Sequence, residues 1–290
     1  MPVSGKSHAF VWTLAPTGAA VVLLAQLIAA SRIGLLPFDR SFAAGADGEW
    51  LTLMATVTGL AAITSTLGGL VASRLLSGTP ARLGLVMLVA AAGLSSAPYL
   101  RRLAADAHDV SLAIGGPANS VTVALAIGLA LGAVTATAIR LPDRRPVTAG
   151  LLVTAAGIWA LAAASTHLAV AVPPLGLPTD QFRTQHMAHL GGWFPLPAAL
   201  WMLIGAASAF AARSRAASRS AVLISGVLGA FLVSLSYFTA WPSEPYGDHI
   251  TVQSQGLAYA TMLVGGALFG SVPASVGLTP PESRAAQAGP

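Results

Sequence analysis

The chain has 290 residues and a mass of 29.1 kDa; 55% of its residues are hydrophobic, only 9% are charged, and its mean hydropathy is +0.73. Soluble proteins use about 25% charged residues to cover their surface, so this composition excludes a water-soluble globular domain and indicates an integral membrane protein. The absence of cysteine excludes disulfides, thiolate metal sites and a cysteine nucleophile.

Eight apolar runs follow one another along the chain, each roughly long enough to cross ~30 Å of hydrocarbon. In chain order they cover roughly residues 10–31, 50–72, 83–100, 119–139, 147–170, 188–212, 220–241 and 254–276. Because unpaired backbone groups are not tolerated in lipid, we expect helices rather than open strands. The length of the first run favours an uncleaved helix over a signal peptide. The predicted fold class is therefore an all-α polytopic membrane protein with eight transmembrane helices, followed by a disordered cytoplasmic tail over residues 277–290.

Basic residues are distributed unevenly between the two sets of links that join these runs. One set contains only Asp143 and Glu282 as acids, against Lys6, Arg74, Arg82, Arg140, Arg144, Arg145, Arg213, Arg215, Arg219 and Arg284. The positive-inside rule places this set, and both termini with it, in the cytoplasm. The Ala-, Gly- and Arg-rich composition is typical of a high-GC bacterial gene, so we predict a bacterial cytoplasmic membrane. Because the arginines are scattered in small groups, we expect no nucleic acid as a partner. As a membrane protein the chain is expected to contact the lipid bilayer, and partner membrane subunits are a further candidate.

The two halves of the chain resemble each other when they are aligned at one fixed offset. The aligned pairs lie in equivalent links: Pro37 with Pro178, Asp39 with Asp180, Arg74 with Arg215, and His108 with His249. This pattern predicts one four-helix unit over residues 1–146 and a second over residues 147–276. Since four is an even number, the two repeats would be parallel, related by an axis along the membrane normal. The alternative is that two similar helical hairpins converged on the same link chemistry.

Charged side chains are missing from the interiors of the predicted spans. Buried ionisable residues usually mark proton relays and ion pathways, so their absence argues against a proton-coupled carrier or an ion pump. The many serines and threonines of the second and fifth spans are expected to bond the preceding turn of their own helix.

Histidines concentrate on the predicted outer side. The candidate ligand-binding residues there are His167, Asp180, His186, His189 and His249, and the candidate metal ligands among them are His186, His189 and His249. His186 and His189 are three residues apart and share one helical face. Imidazole together with carboxylate suits zinc, copper or an axial haem position, and imidazoles near acids also sense external pH. The alternative is that histidine only satisfies the need for polar residues at the interface.

Two partial resemblances to known families are visible. Residues 188–192 (Ala-His-Leu-Gly-Gly) resemble the motif that holds the catalytic histidine of rhomboid intramembrane proteases, but the upstream Gly-x-Ser-Gly nucleophile of that family is absent. Eight helices in two halves with outer histidines are similar to haem A synthase, whose outer-loop glutamate motif and histidines in all four even-numbered helices are not reproduced. No family is therefore assigned.

Three functional hypotheses follow. The first is a non-enzymatic, permease-like component or accessory membrane subunit with an outward-facing small-ligand site around the fifth, sixth and eighth helices. The second is a haem- or copper-binding redox or cofactor-handling protein that uses His167, His186, His189 and His249. The third is a membrane hydrolase or transferase that acts on a lipid substrate, with His189 and Asp180 as acid and base.

Overall fold

The computed structural model describes residues 5–39, 41–42, 47–76, 78–110, 115–139, 141, 143–167, 196–215, 218–240 and 249–276. Within these ranges the chain is helical, and its one extended pairing is an isolated parallel bridge between Ser41 and His108. The α-helices are α1 (Gly5–Arg32), α2 (Asp47–Ala72), α3 (Thr79–Gly93), α4 (Ala97–Ala104), α5 (Pro117–Ala138), α6 (Arg145–His167), α7 (Leu196–Arg213), α8 (Arg219–Ala240) and α9 (His249–Ser275). A 3-10 turn over Leu94–Ser96 joins α3 to α4.

Six segments of the described chain are long and apolar enough to cross a membrane: α1, α2, the continuous α3–α4 segment, α5, α6 and α8. The described residues therefore form a helical bundle with six candidate membrane spans, which is consistent with the predicted all-α membrane protein. The other two predicted spans overlap α7 and α9, whose described apolar segments are shorter, Ala198–Arg213 and Leu263–Ser275. Residues 188–195 of the sixth predicted span and the predicted tail over residues 277–290 lie outside the described residues.

The helices alternate in direction and so define two ends of the bundle. At the arginine end, Arg74 follows α2, α6 begins at Arg145 and α7 ends at Arg213. At the histidine end, α6 ends at His167 and α9 begins at His249. Both names refer to the bundle itself and not to a side of the membrane.

Helix α2 lies at the centre of the bundle. Of its most apolar 18-residue stretch 83% is buried, against 22% of the corresponding stretch of α1. It packs closely on α5, where Gly128 and Gly132 lie against the backbone oxygens of Thr58 and Ala62. A Cβ added at Gly132 would lie 2.5 Å from the oxygen of Ala62, so a larger residue cannot fit without moving a helix. Such contacts let two helix backbones approach closely, which stabilises helix pairs in lipid.

Hydroxyl groups of α2 add hydrogen bonds to this interface. Thr58 Oγ1 donates to Ala124 O at 3.0 Å, and Ser65 Oγ donates to Leu129 O at 3.0 Å. The expectation that such hydroxyls bond their own preceding turn holds for Thr56, but it is wrong for Thr58 and Ser65. These two hydroxyls bond the neighbouring helix because close packing at the glycines brings the carbonyls of α5 within their reach.

Helices α7 and α9 pack in a similar way in the second half. Gly266 lies against the backbone oxygen of Ala198, and Gly270 lies against that of Met202. The two halves meet mainly where α2 packs on α8, with further contacts between α2 and α6. Most of the buried apolar residues therefore form one core cluster that runs through both halves.

Candidate functional site

Two of the five predicted ligand-binding residues lie in described helices. His167 is the last residue of α6 and His249 is the first of α9, so both belong to the histidine end. Asp180, His186 and His189 lie outside the described residues. Among the residues that the structure does describe, no group of three or more His, Cys, Asp or Glu is placed to hold a metal ion. The ligand and metal sites built on these histidines therefore stay predictions.

An aromatic cluster fills the histidine end of the first half. Phe38, Phe42 and Trp50 are each at most 2% exposed. The rings of Phe38 and Phe42 meet that of Trp50 edge-on, with centroid distances of 5.8 and 5.3 Å. The backbone N–H of Phe42 donates to His108 O at 2.8 Å, which holds the two links of this half together. Packed rings thus fill this end of the first half.

The sequence of the second half differs at the corresponding positions. At the offset that aligns Pro37 with Pro178, Phe38 corresponds to Thr179, Phe42 to Arg183 and Trp50 to Gly191. At this offset no aromatic residue of the second half matches the cluster, although Phe182 lies one position away from the match of Phe42.

Buried polar atoms without a hydrogen-bond partner are concentrated toward the histidine end. In the described chain they are Ser96 Oγ, Ser120 Oγ, Trp201 Nε1, Ser234 Oγ and Tyr237 Oη. Each lies in the half of its span that is nearer to the histidine end. Such atoms are rare in folded proteins, because each one costs about 1–3 kcal/mol when it is left unpaired.

Three of these atoms lie in the second half. Trp201 is in the second turn of α7, and Ser234 and Tyr237 are three residues apart on one face of α8. Trp201 is 1% exposed, Ser234 is 4% exposed and Tyr237 is 8% exposed. Trp201, Tyr237 and Leu263 belong to the one apolar core cluster that runs through both halves, so the polar atoms of Trp201 and Tyr237 are surrounded by apolar side chains. Apolar walls with a few polar groups are typical of small-molecule sites.

Buried hydroxyls nearer to the arginine end are paired, in contrast. Thr154 Oγ1 of α6 and Ser208 Oγ of α7 lie 3.0 Å apart. On α8, Ser225 Oγ donates to Ala221 O at 2.5 Å. The unpaired groups therefore mark one end of the second half and are not a general feature of its helices.

A second polar group lies at the arginine end, where the two halves join. Arg74 Nη2 donates to Thr148 Oγ1 at 2.5 Å, and Arg144 Nη1 donates to Ser73 Oγ at 2.8 Å. Burial lowers the pKa of both arginines, and neighbouring guanidinium charges lower it further, while Asp143 raises that of Arg74. In the sequence these arginines indicate only which side of the membrane faces the cytoplasm. Nothing in the sequence indicates that Arg74 and Arg144 come together.

No protein-family model matches the chain, and neither a curated protein nor a solved structure matches it. Two features of the described residues bear on function: the unpaired polar atoms near the histidine end and the arginine group at the opposite end.

Proposed function

We propose that the chain is a permease-like or accessory membrane protein with a small-ligand site at the histidine end of its second half. The observation that carries this proposal is the set of three buried, unpartnered polar atoms, Trp201 Nε1, Ser234 Oγ and Tyr237 Oη. Each atom gave up its hydrogen bonds to water when it was buried. A ligand that supplies partners recovers that free energy, which gives the site a thermodynamic reason to bind.

The chemistry of the three groups restricts the ligand class. The indole N–H of Trp201 only donates, whereas the hydroxyls of Ser234 and Tyr237 both donate and accept. The described residues of α8 carry no charged side chain beyond Arg219 in its first turn. A small, uncharged ligand with hydrogen-bond acceptors fits this combination. His167 and His249, at the ends of α6 and α9, belong to the same end of the bundle.

The same proposal includes eight spans and an orientation. The apolar segments of α7 and α9, with the apolar sequence that precedes each of them, complete eight crossings of a bacterial cytoplasmic membrane. The arginine end faces the cytoplasm because basic residues are retained on that side. The proposed ligand site then faces outward.

An internal duplication is also part of the proposal, and the glycine contacts support it. At nearly the offset that aligns the links, Thr58 and Ala62 of α2 correspond to Ala198 and Met202 of α7. Their partners on α5, Gly128 and Gly132, correspond to Gly266 and Gly270 of α9 at an offset of 138 residues, against 140 residues for α2 with α7 and 141 residues for the links. Both helix pairs therefore have the same register at two successive contacts.

The contacts between the halves do not favour a symmetric arrangement of the two units. In the duplication, α2 corresponds to α7 and the α3–α4 segment corresponds to α8. The main contact between the halves joins α2 to α8, and the described residues give no comparable contact between α7 and α3. We therefore propose a duplicated four-helix unit whose copies pack through different helices, rather than a twofold-related pair.

A thermal-shift screen of the purified protein tests the ligand site. The probes are small uncharged solutes, such as sugars, polyols, amides and urea derivatives, each added at millimolar concentration. We expect at least one to raise the Tm, and we expect Ser234→Ala and Tyr237→Phe to abolish that rise. Ser225→Ala is the control on the same helix, because its hydroxyl is already bonded to Ala221 O. A rise that persists in Ser234→Ala and Tyr237→Phe would place the ligand elsewhere.

A further inference from the structure

Four arginines come together at the arginine end, at the junction between the two halves. Arg74 follows α2, Arg82 lies in the first turn of α3, and Arg144 and Arg145 lie where α6 begins. Electrostatic coupling connects them: Arg144 and Arg145 lower the pKa of Arg74, and Arg82 lowers that of Arg144. These four residues are the junction arginines.

Three of the four junction arginines have side chains that are held in place by neutral partners. Arg74 bonds the Thr148 hydroxyl, Arg144 bonds the Ser73 hydroxyl, and Arg82 Nε donates to Leu76 O at 2.9 Å. Arg74 and Arg144 reach across the junction in opposite directions, so their guanidinium groups are fixed near each other. A fixed group of like charges is unfavourable unless an anion joins it.

Only one carboxylate of the described chain takes part in this electrostatic group, that of Asp143. Its Oδ1 already accepts the backbone N–H of Arg145 at 2.9 Å, at the start of α6. One carboxylate does not balance four guanidinium groups, so the junction arginines retain a net positive charge. Guanidinium groups bind phosphate through paired N–H donors better than any other side chain does.

Exposed aliphatic side chains lie next to the junction arginines in the sequence. The apolar span of α2 ends at Ala72, and that of α6 begins at Arg145. Val71, Leu75 and Leu83 are 46%, 53% and 45% exposed. Exposed aliphatic side chains next to a basic group provide a surface for acyl chains below a charged headgroup, which free phosphate would not use. Basic pockets between transmembrane helices bind anionic headgroups in this manner.

The arginines of the second half at the same end are used differently. Arg213 Nη1 donates to Ala274 O at 2.6 Å, Arg215 Nη1 donates to Ala211 O at 3.1 Å, and Arg219 Nε donates to Ser275 Oγ at 3.3 Å. Arg213 and Arg215 thus bond carbonyls in the last turns of α9 and α7, which completes helix ends. Arg215 is exposed and corresponds to Arg74 in the duplication, so it is the matched control.

We propose that the junction arginines bind the phosphate of an anionic phospholipid, with Arg74 and Arg144 as the fixed donors and Arg145 as an additional charge. The lipid would occupy the joint between the two halves and stabilise their packing. This site is independent of the proposed ligand site, which lies at the opposite end of the bundle.

Native mass spectrometry of the delipidated protein in detergent tests this proposal. The probes are phosphatidylglycerol and phosphatidylcholine with identical acyl chains, and inorganic phosphate. We expect preferential binding of phosphatidylglycerol, weakened about tenfold by Arg74→Gln or Arg144→Gln and unchanged by Arg215→Gln. The side chain of Arg145 takes part in none of the three hydrogen bonds that hold the junction arginines. Weaker lipid binding by Arg145→Gln would therefore show the effect of the charge itself, without loss of a structural bond. Gel filtration and circular dichroism of each variant establish that it is folded.

Three results would overturn the proposal. The first is equal binding of the two lipids by the wild-type protein. The second is an equal loss of binding in Arg215→Gln and Arg74→Gln, which would reduce the effect to overall charge. The third is complete displacement of phosphatidylglycerol by inorganic phosphate at millimolar concentration, which would assign the site to free phosphate instead of lipid.

Discussion

Tyr99 Oη and Ser31 Oγ lie 2.7 Å apart and form a hydrogen bond that joins α4 to the end of α1 at the histidine end. Tyr237, near the same end in the second half, has a buried hydroxyl without a partner. Two tyrosines near one end of the bundle therefore differ in whether their hydroxyl is bonded. This difference separates a structural hydroxyl from one that is available to a ligand.

Removal of each tyrosine hydroxyl has a different expected effect on stability. Tyr99→Phe loses a hydrogen bond between helices and should lower the free energy of unfolding by about 0.5–1.5 kcal/mol. Tyr237→Phe removes an unpaired buried hydroxyl and should leave the stability of the ligand-free protein unchanged or slightly raised. Unfolding in mixed detergent micelles measures both. An equal loss in the two variants would mean that the hydroxyl of Tyr237 has a partner.

The glycine contacts predict where a single methyl group is not tolerated. Gly132→Ala places a Cβ 2.5 Å from both Ala62 O and Ser65 Cβ, so we expect a loss of about 1–3 kcal/mol from overpacking. Gly270→Ala should cause a comparable loss, because Gly270 meets the backbone of Met202 in the same way. Gly18→Ala is the control: its Cβ would meet nothing within 4 Å, and alanine has the higher helix propensity. Thermal unfolding measures the stability of each variant. An equal change of Tm in all three variants would contradict this packing.

The eight-span arrangement predicts the side of the membrane on which introduced cysteines react. The natural chain contains no cysteine, so each single variant gives an unambiguous label. Ser77→Cys, Ser214→Cys and Ser283→Cys should react from the cytoplasmic side, and Ala105→Cys and Ser243→Cys should react from outside. Labelling of Ser243→Cys and Ser283→Cys from one side would mean that α9 does not cross.

The haem or copper hypothesis predicts a cofactor in the purified protein. An absorbance spectrum with elemental analysis should then give a Soret band, or about one metal ion per chain that His186→Ala with His189→Ala removes. A folded protein that binds neither would refute this hypothesis and leave the small-ligand proposal. His108→Ala is a suitable control, because His108 is exposed and contributes its backbone oxygen to the contact with Phe42.

The fold class could be predicted from the sequence because long apolar runs are visible without any knowledge of how the helices pack. Runs of about 20 apolar residues have few alternatives to a membrane helix, and the described helices match the predicted spans from the first to the fifth and the seventh. The close pairing of α2 with α5 was harder to predict from the sequence. It depends on the rotational position of Gly128 and Gly132 relative to Thr58 and Ala62, which a stripe of small residues does not specify.

The candidate sites were harder to predict for the same reason. Trp201 and Tyr237 look like ordinary aromatic residues near span ends, and only the packed structure distinguishes an unpaired polar atom from a paired one. Arg74 and Arg144 are distant in sequence and meet only because α6 returns to the end of α2. The histidines were visible as a pattern, but histidine spacing alone does not determine which imidazoles converge.

The most direct test of the central claim is thiol labelling of α8 from the outer side with a membrane-impermeant methanethiosulfonate. Ser234→Cys replaces an unpaired buried hydroxyl, whereas Ser236→Cys, at similar depth, replaces a fully buried hydroxyl that is bonded to Val233 O at 2.7 Å. If the histidine end of the second half contains an accessible polar site, Ser234→Cys reacts and Ser236→Cys does not. If both stay unlabelled while the exposed control Ala105→Cys reacts, the proposed ligand site is contradicted.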